Sequence, residues 1–464
     1  MIEMTLAEVA EVVGGLAHGD AVVTAPAFVD SRLAVPGGLF VAIAGEHVDG
    51  HDFADRAVEA GAAAVLCSRP VDGPCVVVDD VVAALGRLAR QVVDRLPEVT
   101  VFALTGSQGK TGVKDYLAAV LEAAGPTVAT AGNFNNEIGV PLTVLRATQE
   151  TRHLVVEMGA RGLGHISYLC SIAPPDVAAV LNVGSAHLGE FGSRQAIAQA
   201  KGEIVEALPA GGTAVLNADD PLVAAMADRT AARVRTVGLA EDADLRWEIV
   251  DTDDLGRPEV GYRSEDASAR VRLPLPGAHQ AVNAGMALGM ALAVGVPLGE
   301  AAESLAAARP ASHWRMELTE RPDGLLVVND AYNANPESMT AALETLRVIG
   351  ERRGRRTVAV LGEMRELGVD STAGHRRVGD VVAAAAIDVL LTVGDVAADI
   401  AHAAREHPDW GGEAIVTVGR AEAVEWLRHN VSAADVVLVK ASRGAALELV
   451  ADALLTEEEG SSTP

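Results

Sequence analysis

Aromatic residues are scarce in this sequence, which contains 6 Phe, 4 Tyr and 4 Trp among 464 residues. Cysteine is scarcer still, since Cys67, Cys75 and Cys170 are the three in the chain and form no CxxC pair. An odd and sparse set of cysteines argues against a disulfide framework and suits a reducing compartment. We therefore expect a cytoplasmic globular protein.

Positive charge is also in short supply. The sequence has 37 Lys and Arg against 64 Asp and Glu, which gives a net charge of −27 and a pI near 4.8. This balance argues against a nucleic-acid-binding surface. No apolar run reaches transmembrane length, and the N-terminus, MIEMTLAEVAEVVGG, carries acids where a signal peptide has basic residues. We expect no nucleic-acid partner and no membrane insertion.

The sequence does contain many aliphatic residues in an alternating pattern. Short β-branched runs alternate with alanine- and leucine-rich stretches, which is typical of α/β folds with parallel sheets. The length predicts two to four domains, and we divide the chain into blocks 1–97, 98–311 and 312–464. The charged, irregular segment 240–272 predicts strand-like excursions within the middle block. Because ligands in open α/β sheets lie beyond the carboxyl ends of strands, we look for site residues there.

The stretch from Val101 to Tyr116, VFALTGSQGKTGVKDY, joins an apolar run to a glycine-rich turn. It predicts a strand to Leu104 and a helix from about Lys110, with backbone N–H groups directed at an anion. Lys110 would neutralise phosphate charge and Thr111 would ligate magnesium. Leu104, however, occupies the place of the first glycine in the general phosphate-binding pattern. On these residues alone, a nucleotide site and an ordinary strand–turn–helix are equally supported.

Three further residues follow strands or lie on a helix. Glu157 ends the run HLVVE, His187 follows another strand, and Lys201 lies in a helical run. A carboxylate at a strand end is a good magnesium ligand. Each of these residues taken alone also has a common structural explanation. An acid such as Glu157 is often simply the solvated end of a strand, a lone histidine is usually a loop residue, and a lone lysine on a helix is usually exposed to solvent.

Two polar clusters could recognise a nucleotide. In VVNDAYNANPESM, Asp330, Asn333 and Asn335 follow an apolar strand and precede a proline at a predicted helix start. These side chains could read a ribose, base or phosphate, or they could form an Asx turn before the helix. In GAHQAVNAGMA, Asn283 lies on the early turn of a predicted helix, where it could contact adenine or simply be a polar helical residue.

Taken in order, these segments resemble the Mur ligases, the ATP-dependent amide-forming enzymes of peptidoglycan precursor synthesis. The resemblance runs from DSRLAVPGG to KASRGAALE, across all three blocks, and is carried by LTGSQGKT, GNFNNEIGVPLT, EMGARGLGHI, NVGSAHLGEFGS, NDAYNANPESM, LGEMRELG and VLVKASRG. The segments NNEIGVP and DAYNANPESM are similar to those of the members that use D-alanyl-D-alanine. In such a family, the shortened glycine loop is an expected feature.

The resemblance implies an α/β fold of three domains: a smaller N-terminal α/β domain that binds the UDP-muramoyl-peptide, a central P-loop-type ATPase domain with a parallel sheet, and a C-terminal Rossmann-like domain. It implies an ATP-dependent carbon–nitrogen ligase that joins D-alanyl-D-alanine to a UDP-N-acetylmuramoyl-tripeptide through an acyl phosphate. The products are UDP-N-acetylmuramoyl-pentapeptide, ADP and phosphate. A monomer is the usual form of the family.

The resemblance also implies roles for individual residues. The catalytic set is Lys110, Glu157, His187 and Lys201. Mg²⁺ ligation is implied for Thr111, Glu157, His187 and Lys201, and the lysine at the Lys201 position is carbamylated in the wider family. Nucleotide binding is implied for Thr105, Gly106, Ser107, Gln108, Gly109, Lys110, Thr111, Asn283, Arg315, Asp330, Asn333 and Asn335. Binding of the UDP-muramoyl-peptide is implied for Ser31, Arg32, Glu46, Asp49, Gly50, His51, Asn133, Asn135 and Asn136, and His375 matches a position often near the site.

The sequence also departs from the family pattern. Gly112 and Val113 stand where hydroxyl residues are usual, and Gln280 stands where asparagine is more frequent. Three alternatives follow: a ligase that adds another amino acid, such as diaminopimelate, lysine or glutamate; a nucleotide-binding module without chemistry; and a P-loop NTPase that drives transport or remodelling.

Overall fold

The computed structural model describes residues 1–45, 47–184, 191–309 and 311–456. It contains three principal sheets and a two-stranded ribbon, each sheet formed by one of the three blocks of the sequence. The α/β fold of three domains is therefore confirmed. Among the residues so described, no helix has both the length and the apolar character needed to cross a membrane.

The N-terminal domain is built on a four-stranded sheet in the order β2-β6-β5-β4, with β2 antiparallel to β6 and the others parallel. Its strands are β1 Met4–Thr5, β2 Leu16–His18, β3 Val22–Val23, β4 Leu39–Val41, β5 Ala64–Cys67 and β6 Cys75–Val77. Its α-helices are α1 Leu6–Val13, α2 Ala54–Glu59 and α3 Val81–Asp94, with 3₁₀ turns at Ser31–Leu33 and Gly50–Phe53. Strands β1 and β3 form the ribbon.

The central domain carries a nine-stranded sheet in the order β15-β14-β13-β12-β11-β10-β7-β9-β8. Its strands are β7 Thr100–Thr105, β8 Thr127–Ala129, β9 His153–Glu157, β10 Val177–Val180, β11 Thr213–Asn217, β12 Arg233–Gly238, β13 Leu245–Thr252, β14 Pro258–Arg263 and β15 Ser268–Arg272. Its helices are α4 Lys110–Ala124, α5 Gly139–Val144, α6 His165–Ile172, α7 Arg194–Glu206, α8 Pro221–Ala224, α9 His279–Ala293 and α10 Leu298–Ala307, with a 3₁₀ turn at Ala225–Arg229.

Strands β7 to β13 pair in parallel, whereas β14 and β15 form an antiparallel edge. This edge confirms the strand-like excursions predicted within segment 240–272. Along β7, Val101 and Ala103 face one core and Phe102 and Leu104 the other, because successive side chains of a strand point to opposite faces. Helices α6 and α7 cover the first face, which continues into the N-terminal domain, and α4 and α9 cover the second.

The C-terminal domain has a six-stranded sheet in the order β16-β17-β21-β18-β19-β20. Its strands are β16 Glu317–Glu320, β17 Leu326–Asp330, β18 Arg356–Leu361, β19 Val389–Val393, β20 Glu413–Thr417 and β21 Asp435–Lys440. Its helices are α11 Pro336–Arg353, α12 Ser371–Ala384, α13 Ala398–Arg405, α14 Arg420–Asn430 and α15 Glu448–Leu455, with 3₁₀ turns at Gly368–Asp370 and Arg443–Ala445. Only the edge strand β16 is antiparallel to its neighbour, so the domain is Rossmann-like.

Among the described residues, the contacts between the central and C-terminal domains include two that lie far apart in the chain. Lys114 of α4 places its Nζ 3.5 Å from the hydroxyl of Ser312. Farther away along the chain, the turn between β13 and β14 packs on α11, where Arg353 Nε donates to Asp254 Oδ2 across 3.0 Å. Leu255 of that turn packs against the C-terminal core. We retain 97/98 and 311/312 as the proposed domain limits; both fall outside the strands of the three sheets.

Candidate active site

The glycine-rich turn lies between β7 and α4. The predicted helix start at Lys110 is confirmed, and the strand extends one residue beyond the predicted Leu104. Gly109 has φ 81°, and a Cβ at this position would lie 2.6 Å from Asn283 Oδ1. Glycine is therefore required twice here, by the backbone conformation and by the approach of helix α9.

Asn182, two residues beyond the end of the neighbouring strand β10, shapes this turn. Its Oδ1 accepts hydrogen bonds from the backbone N–H groups of Ser107 and Gln108, each at 3.0 Å. Its Nδ2 donates to the Gln108 carbonyl at 3.1 Å. The turn is thus held in place before any ligand contributes.

Lys110 opens helix α4 and lines a cavity of about 390 Å³ between the central and C-terminal domains. Its Nζ donates to the Gly106 carbonyl across 2.8 Å. Burial lowers the pKa of the Lys110 ammonium from its ordinary value, an effect that Glu157 and Glu366 oppose and Arg315 reinforces. A phosphate bound here would act in the same direction as the two carboxylates and favour the charged form.

Thr111 and Glu157 meet at the floor of the same cavity. The Thr111 hydroxyl donates to Glu157 Oε2 across 2.9 Å, and Asn135 Nδ2 donates to Glu157 Oε1 across 2.8 Å. Glu157 is only 2% exposed. This burial excludes the alternative that Glu157 is merely a solvent-exposed carboxylate at the end of a strand. Buried oxygen donors of this kind suit Mg²⁺.

Lys201 extends from helix α7 into this cavity and is 4% exposed, which excludes the solvent-exposed alternative. Burial holds the pKa of its ammonium well below the ordinary value, and the nearby Lys110 charge adds to this effect. Among the residues that the structure describes, no acceptor bonds to the Lys201 ammonium, and no group of three or more His, Cys, Asp or Glu has the arrangement of a metal site. His187, the remaining predicted ligand, lies outside the described residues.

The predicted nucleotide contacts from the other elements converge on the same cavity, which is lined by Asn283, Arg315, Asp330, Asn333 and Asn335. The Asn335 side chain caps helix α11 by accepting a hydrogen bond from the Ser338 N–H at 2.8 Å. Of the two roles considered for this side chain, the local turn before the helix is therefore correct. Asn333 Oδ1 accepts from the Ala334 N–H at 2.8 Å. Asp330 Oδ2 accepts from Lys440 Nζ at 2.6 Å.

Arg315 is presented by an unusual backbone conformation. Its neighbours Trp314 and Met316 have φ values of 58° and 50°, in the left-handed region that disfavours non-glycine residues. The Arg315 guanidinium stacks on the Tyr332 ring, 4.1 Å from its centroid. Its Nε is buried and has no hydrogen-bond partner within the described ranges. This orphaned donor is what a site for an anionic ligand would contain.

The residues predicted to hold the UDP-muramoyl-peptide divide into two groups. Asn133, Asn135 and Asn136 line the cavity. The others belong to the N-terminal domain and do not line this cavity, as far as the described residues define it: Ser31, Arg32, Asp49, Gly50 and His51. Glu46 lies outside the described residues. The structure therefore does not join the N-terminal set to the catalytic set.

Within the N-terminal set, Asp49 and His51 form a polar cluster with Arg69 and Ser68. Asp49 accepts from the His51 N–H at 2.9 Å and from Arg69 Nη1 at 2.7 Å, and Arg69 holds the pKa of this carboxyl well below its usual range. His51 Nε2 accepts from the Ser68 N–H at 2.9 Å. Gly50 admits no side chain, because a Cβ would lie 2.7 Å from the Ile43 nitrogen.

Two members of the predicted loop set, Thr105 and Gly106, lie behind the cavity wall rather than on it. The Thr105 hydroxyl is buried without a partner in the described part of the chain. His375, also expected near the site, is fully buried in the C-terminal domain and accepts from the Met364 N–H at 2.9 Å through Nε2.

Several residues that line the cavity were not predicted from the sequence: Asp115, Arg161, His165, Asn182, His279, Tyr332, Glu366 and Lys440. A search for polar residues at the carboxyl ends of predicted strands could have found Asn182 and Lys440, because both follow runs of buried apolar residues. Tyr332 stands inside a segment that was already singled out. The others carry no local signal beyond their polarity.

The departures from the family pattern fit local packing. Val113 is fully buried in the core beneath α4 and α9. A Cβ on Gly112 would meet Asn283 Nδ2 at an ordinary 3.5 Å. Gln280 is 4% exposed, and its Oε1 accepts from Asn283 Nδ2 at 3.4 Å. Gln280 therefore supports the predicted adenine-facing amide instead of leaving it unpaired.

The chain is similar to known proteins in all three of its domains. Family models match residues 28–93 (Mur ligase family, catalytic domain), 104–291 (Mur ligase middle domain) and 314–443 (Mur ligase, glutamate ligase domain). The chain is 45% identical to the Mycobacterium tuberculosis protein named UDP-N-acetylmuramoyl-tripeptide--D-alanyl-D-alanine ligase, with 99% of each chain covered. It is 38% identical to the Escherichia coli protein of that name, with 98% of this chain and 99% of the relative covered.

Solved structures agree with these relatives. A crystal structure of MurF from Acinetobacter baumannii superposes with a TM-score of 0.87 at 30% identity, covering 98% of this chain and 99% of that one. MurF ligase from Thermotoga maritima in complex with ADP gives a TM-score of 0.79 at 31% identity, covering 93% of this chain and 97% of that one. With its cavity lined by the phosphate-loop lysine and by Glu157, the chain belongs to the Mur ligase family.

Proposed function

We propose that this protein is the ATP-dependent ligase that joins D-alanyl-D-alanine to a UDP-N-acetylmuramoyl-tripeptide, in the synthesis of the peptidoglycan precursor. The observation that carries the proposal is the convergence of Lys110, the Thr111–Glu157 pair and Asp330 on one cavity between two domains. The relatives that bear this activity in their names match the chain over nearly its whole length.

In the proposed reaction, ATP phosphorylates the terminal carboxylate of the tripeptide, and the amine of D-alanyl-D-alanine displaces phosphate. The chain has two tasks in it, to neutralise phosphoryl charge and to align the reacting groups. Lys110 and the glycine-rich turn bind the β- and γ-phosphates. Arg315, with its orphaned Nε, adds positive charge at the same cavity. Asn283 faces the adenine, and Asp330, Asn333 and Asn335 complete the nucleotide site.

The Thr111–Glu157 pair is the proposed Mg²⁺ site. Two oxygen donors that already lie 2.9 Å apart, one of them a buried carboxylate, fit a hard divalent cation. When bound, Mg²⁺ would supply positive charge to the phosphates. Asn135 holds the Glu157 carboxylate in position from the other oxygen. His187 and Lys201 are the proposed ligands of a second metal.

We propose in addition that Lys201 is carbamylated, as the resemblance implies. As an ammonium, this side chain would bring a third positive charge beside Lys110 and Arg315 without binding a cation. A carbamate at the same buried position would supply oxygen ligands instead. Mass spectrometry of the intact protein under bicarbonate, with Lys201→Ala as the control, tests the modification directly.

We propose that the N-terminal domain holds the UDP end of the substrate through Ser31, Arg32, Glu46, Asp49, Gly50 and His51, and that Asn133 and Asn136 contact its peptide. UDP-linked precursors and ATP are cytoplasmic metabolites, so we place the enzyme there, as a monomer. Static light scattering checks the oligomeric state.

The decisive experiment is phosphate release with the UDP-muramoyl-tripeptide and D-alanyl-D-alanine together, compared with each alone. We expect release only with the pair. Turnover with diaminopimelate, lysine or glutamate instead of D-alanyl-D-alanine would identify a ligase of different specificity. ATP binding without release under any pair would leave a nucleotide-binding module, and release without an acceptor would indicate a P-loop NTPase.

A further inference from the structure

The loop after strand β9 displays an arginine at the cavity. Arg161 follows Glu157 closely in the chain and lines the cavity, with 66% of its side chain exposed. Asn133 and Asn136, which we propose to contact the peptide of the substrate, line the same cavity. A cation is thus presented where the peptide is expected, close in the chain to the carboxylate of the proposed metal site.

This loop is bonded at both of its ends. At its start, the Gly159 N–H donates to the Asn135 carbonyl at 2.8 Å. At its far end, the buried Glu203 accepts from the Gly164 N–H at 2.6 Å and from the Ser167 N–H at 3.0 Å. The backbone that carries the arginine is therefore held in place without a ligand.

Arg161 forms a charged cluster with Glu137 and His165. The Arg161 N–H donates to His165 Nδ1 at 3.3 Å, so a neutral His165 has its proton on Nε2 and donates to Glu137 Oε2 at 3.2 Å. The Arg161 guanidinium forms an ion pair with Glu137 Oε1 at 3.7 Å, which is too long for a direct hydrogen bond. A positive and a negative charge therefore lie side by side, paired but not directly bonded.

We propose that Arg161 and Glu137 bind the far end of the third residue of the tripeptide, and that they select diaminopimelate over lysine at this position. The inference rests on the proposed function and adds to it the identity of the peptide substrate.

The chemistry of diaminopimelate matches the two charges. One of its carboxylates is the group that ATP activates, and the far end of its side chain carries a second carboxylate and an ammonium on the same carbon. Arg161 binds that carboxylate through parallel N–H donors, because guanidinium and carboxylate are planar groups of matching geometry. Glu137 accepts from the ammonium. The ligand thus replaces one loose ion pair with charge-assisted hydrogen bonds on both sides.

Other groups of the substrates match the cluster less well. Lysine has the same side chain without the second carboxylate, so it leaves Arg161 without an anion to bind. An internal residue of the peptide has no free ammonium, because its nitrogen forms an amide bond. The phosphates of ATP bring no cation for Glu137, and their proposed partners are Lys110 and Arg315.

Kinetics with two matched substrates, UDP-muramoyl-tripeptides that end in diaminopimelate and in lysine, test the inference. For the wild type, we expect KM to be about tenfold lower for the diaminopimelate substrate, the effect of one charge-assisted hydrogen bond. Arg161→Gln should raise KM for that substrate by about the same factor and should not raise KM for the lysine substrate. Glu137→Gln should raise KM for both, because both side chains end in an ammonium.

Arg152→Gln is the matched control. Arg152 is exposed immediately before strand β9, whereas Arg161 follows that strand, and Arg152 does not line the cavity as the described residues define it. This variant should leave KM for both tripeptides unchanged. KM for ATP and for D-alanyl-D-alanine should be unchanged in Arg152→Gln and in Arg161→Gln alike.

Three results would overturn the inference and leave the proposed function standing. The wild type could use both tripeptides equally well. Arg161→Gln could raise KM for both by the same factor, in which case the arginine binds a group that they share. It could also raise KM for ATP and not for the diaminopimelate substrate, in which case it serves the nucleotide. Absence of wild-type turnover with either tripeptide overturns both proposals.

Discussion

Asp330 and Lys440 are register partners at the carboxyl ends of two parallel strands, and the Lys440 ammonium donates to the Asp330 carboxylate across 2.6 Å. The side chains are only 14% and 3% exposed, so each charge relies on the other in place of water. The same ammonium donates to the Asn333 carbonyl at 2.9 Å. One buried lysine therefore fastens two of the predicted nucleotide contacts to the sheet.

Lys440→Met should destabilise the protein by about 3–5 kcal/mol, because it leaves the Asp330 carboxylate buried without its counter-charge. Chemical denaturation followed by circular dichroism measures this change. Arg90→Ala is the control, since it breaks an ion pair with Asp94 whose side chains are 40% and 45% exposed. The control should lose at most about 0.5 kcal/mol. A loss for Lys440→Met as small as that of the control would refute the argument.

Gly109→Ala should reduce ligase activity strongly while Gly112→Ala should not. The first variant forces a side chain onto φ 81° and into Asn283 Oδ1, whereas the second places a methyl group at ordinary contact distance within helix α4. Gly112→Ala should even stabilise the protein by about 0.5–1 kcal/mol through reduced chain entropy. Phosphate release and thermal melting of both variants check the pair. Equal activities would mean that the approach of α9 to the turn does not matter.

Asn135→Ala should raise the Mg²⁺ concentration needed for half-maximal activity by about 10- to 100-fold, the usual effect of removing a group that orients a metal ligand. The reason is its 2.8 Å hydrogen bond to Glu157 Oε1. Magnesium titrations of phosphate release provide the measurement. Asn133→Ala changes a residue of the same cavity wall that makes no bond to Glu157 in the structure, and it should leave the titration unchanged. An unaltered Mg²⁺ dependence in Asn135→Ala would contradict the assignment.

Acidification should destabilise the protein through His279. Burial lowers the pKa of His279 to about 4, partly offset by Asp330 and reinforced by Lys440. An unfolded histidine titrates near pH 6.5, so the unfolded state binds the proton first as pH falls. Stability is therefore full above about pH 6.5 and decreases toward pH 4, by at most about 3 kcal/mol.

Melting temperatures of wild type and His279→Gln between pH 4 and 7 test this prediction. The variant should lose part of the pH dependence, because its side chain does not titrate. His313→Gln, which changes a side chain that is 78% exposed, should leave the wild-type profile intact. Parallel profiles for wild type and His279→Gln would exclude a role for His279.

The sequence predicted the fold well where local pattern and global topology agree. Alternation of β-branched runs with helical stretches predicts parallel sheets, and the helix start at Lys110 follows from the glycines before it. The polar ends of strands pointed to Glu157 and Asp330, because parallel strands bring their carboxyl ends to one edge. The rest of the site depends on pairing between distant strands, which no local pattern encodes.

Lys440 illustrates that limit. It stands 110 positions from Asp330 in the chain, and only the strand order β17-β21-β18 makes them neighbours. The burial of Lys201 could not be predicted from the sequence either, because a lysine on a helix is usually exposed to solvent. In Asn335 the sequence offered two interpretations, a nucleotide contact and a helix cap. The structure shows the cap, and the contact stays a prediction.

The turn between β13 and β14, which packs on helix α11, restricts how the two larger domains can move. Ser312 meets Lys114 at one point, and Asp254 and Leu255 meet the C-terminal domain at another. These contacts lie apart from each other in the chain, and both join the two domains whose residues line the cavity. They therefore hold the domains in the relative orientation that brings the nucleotide-site residues together.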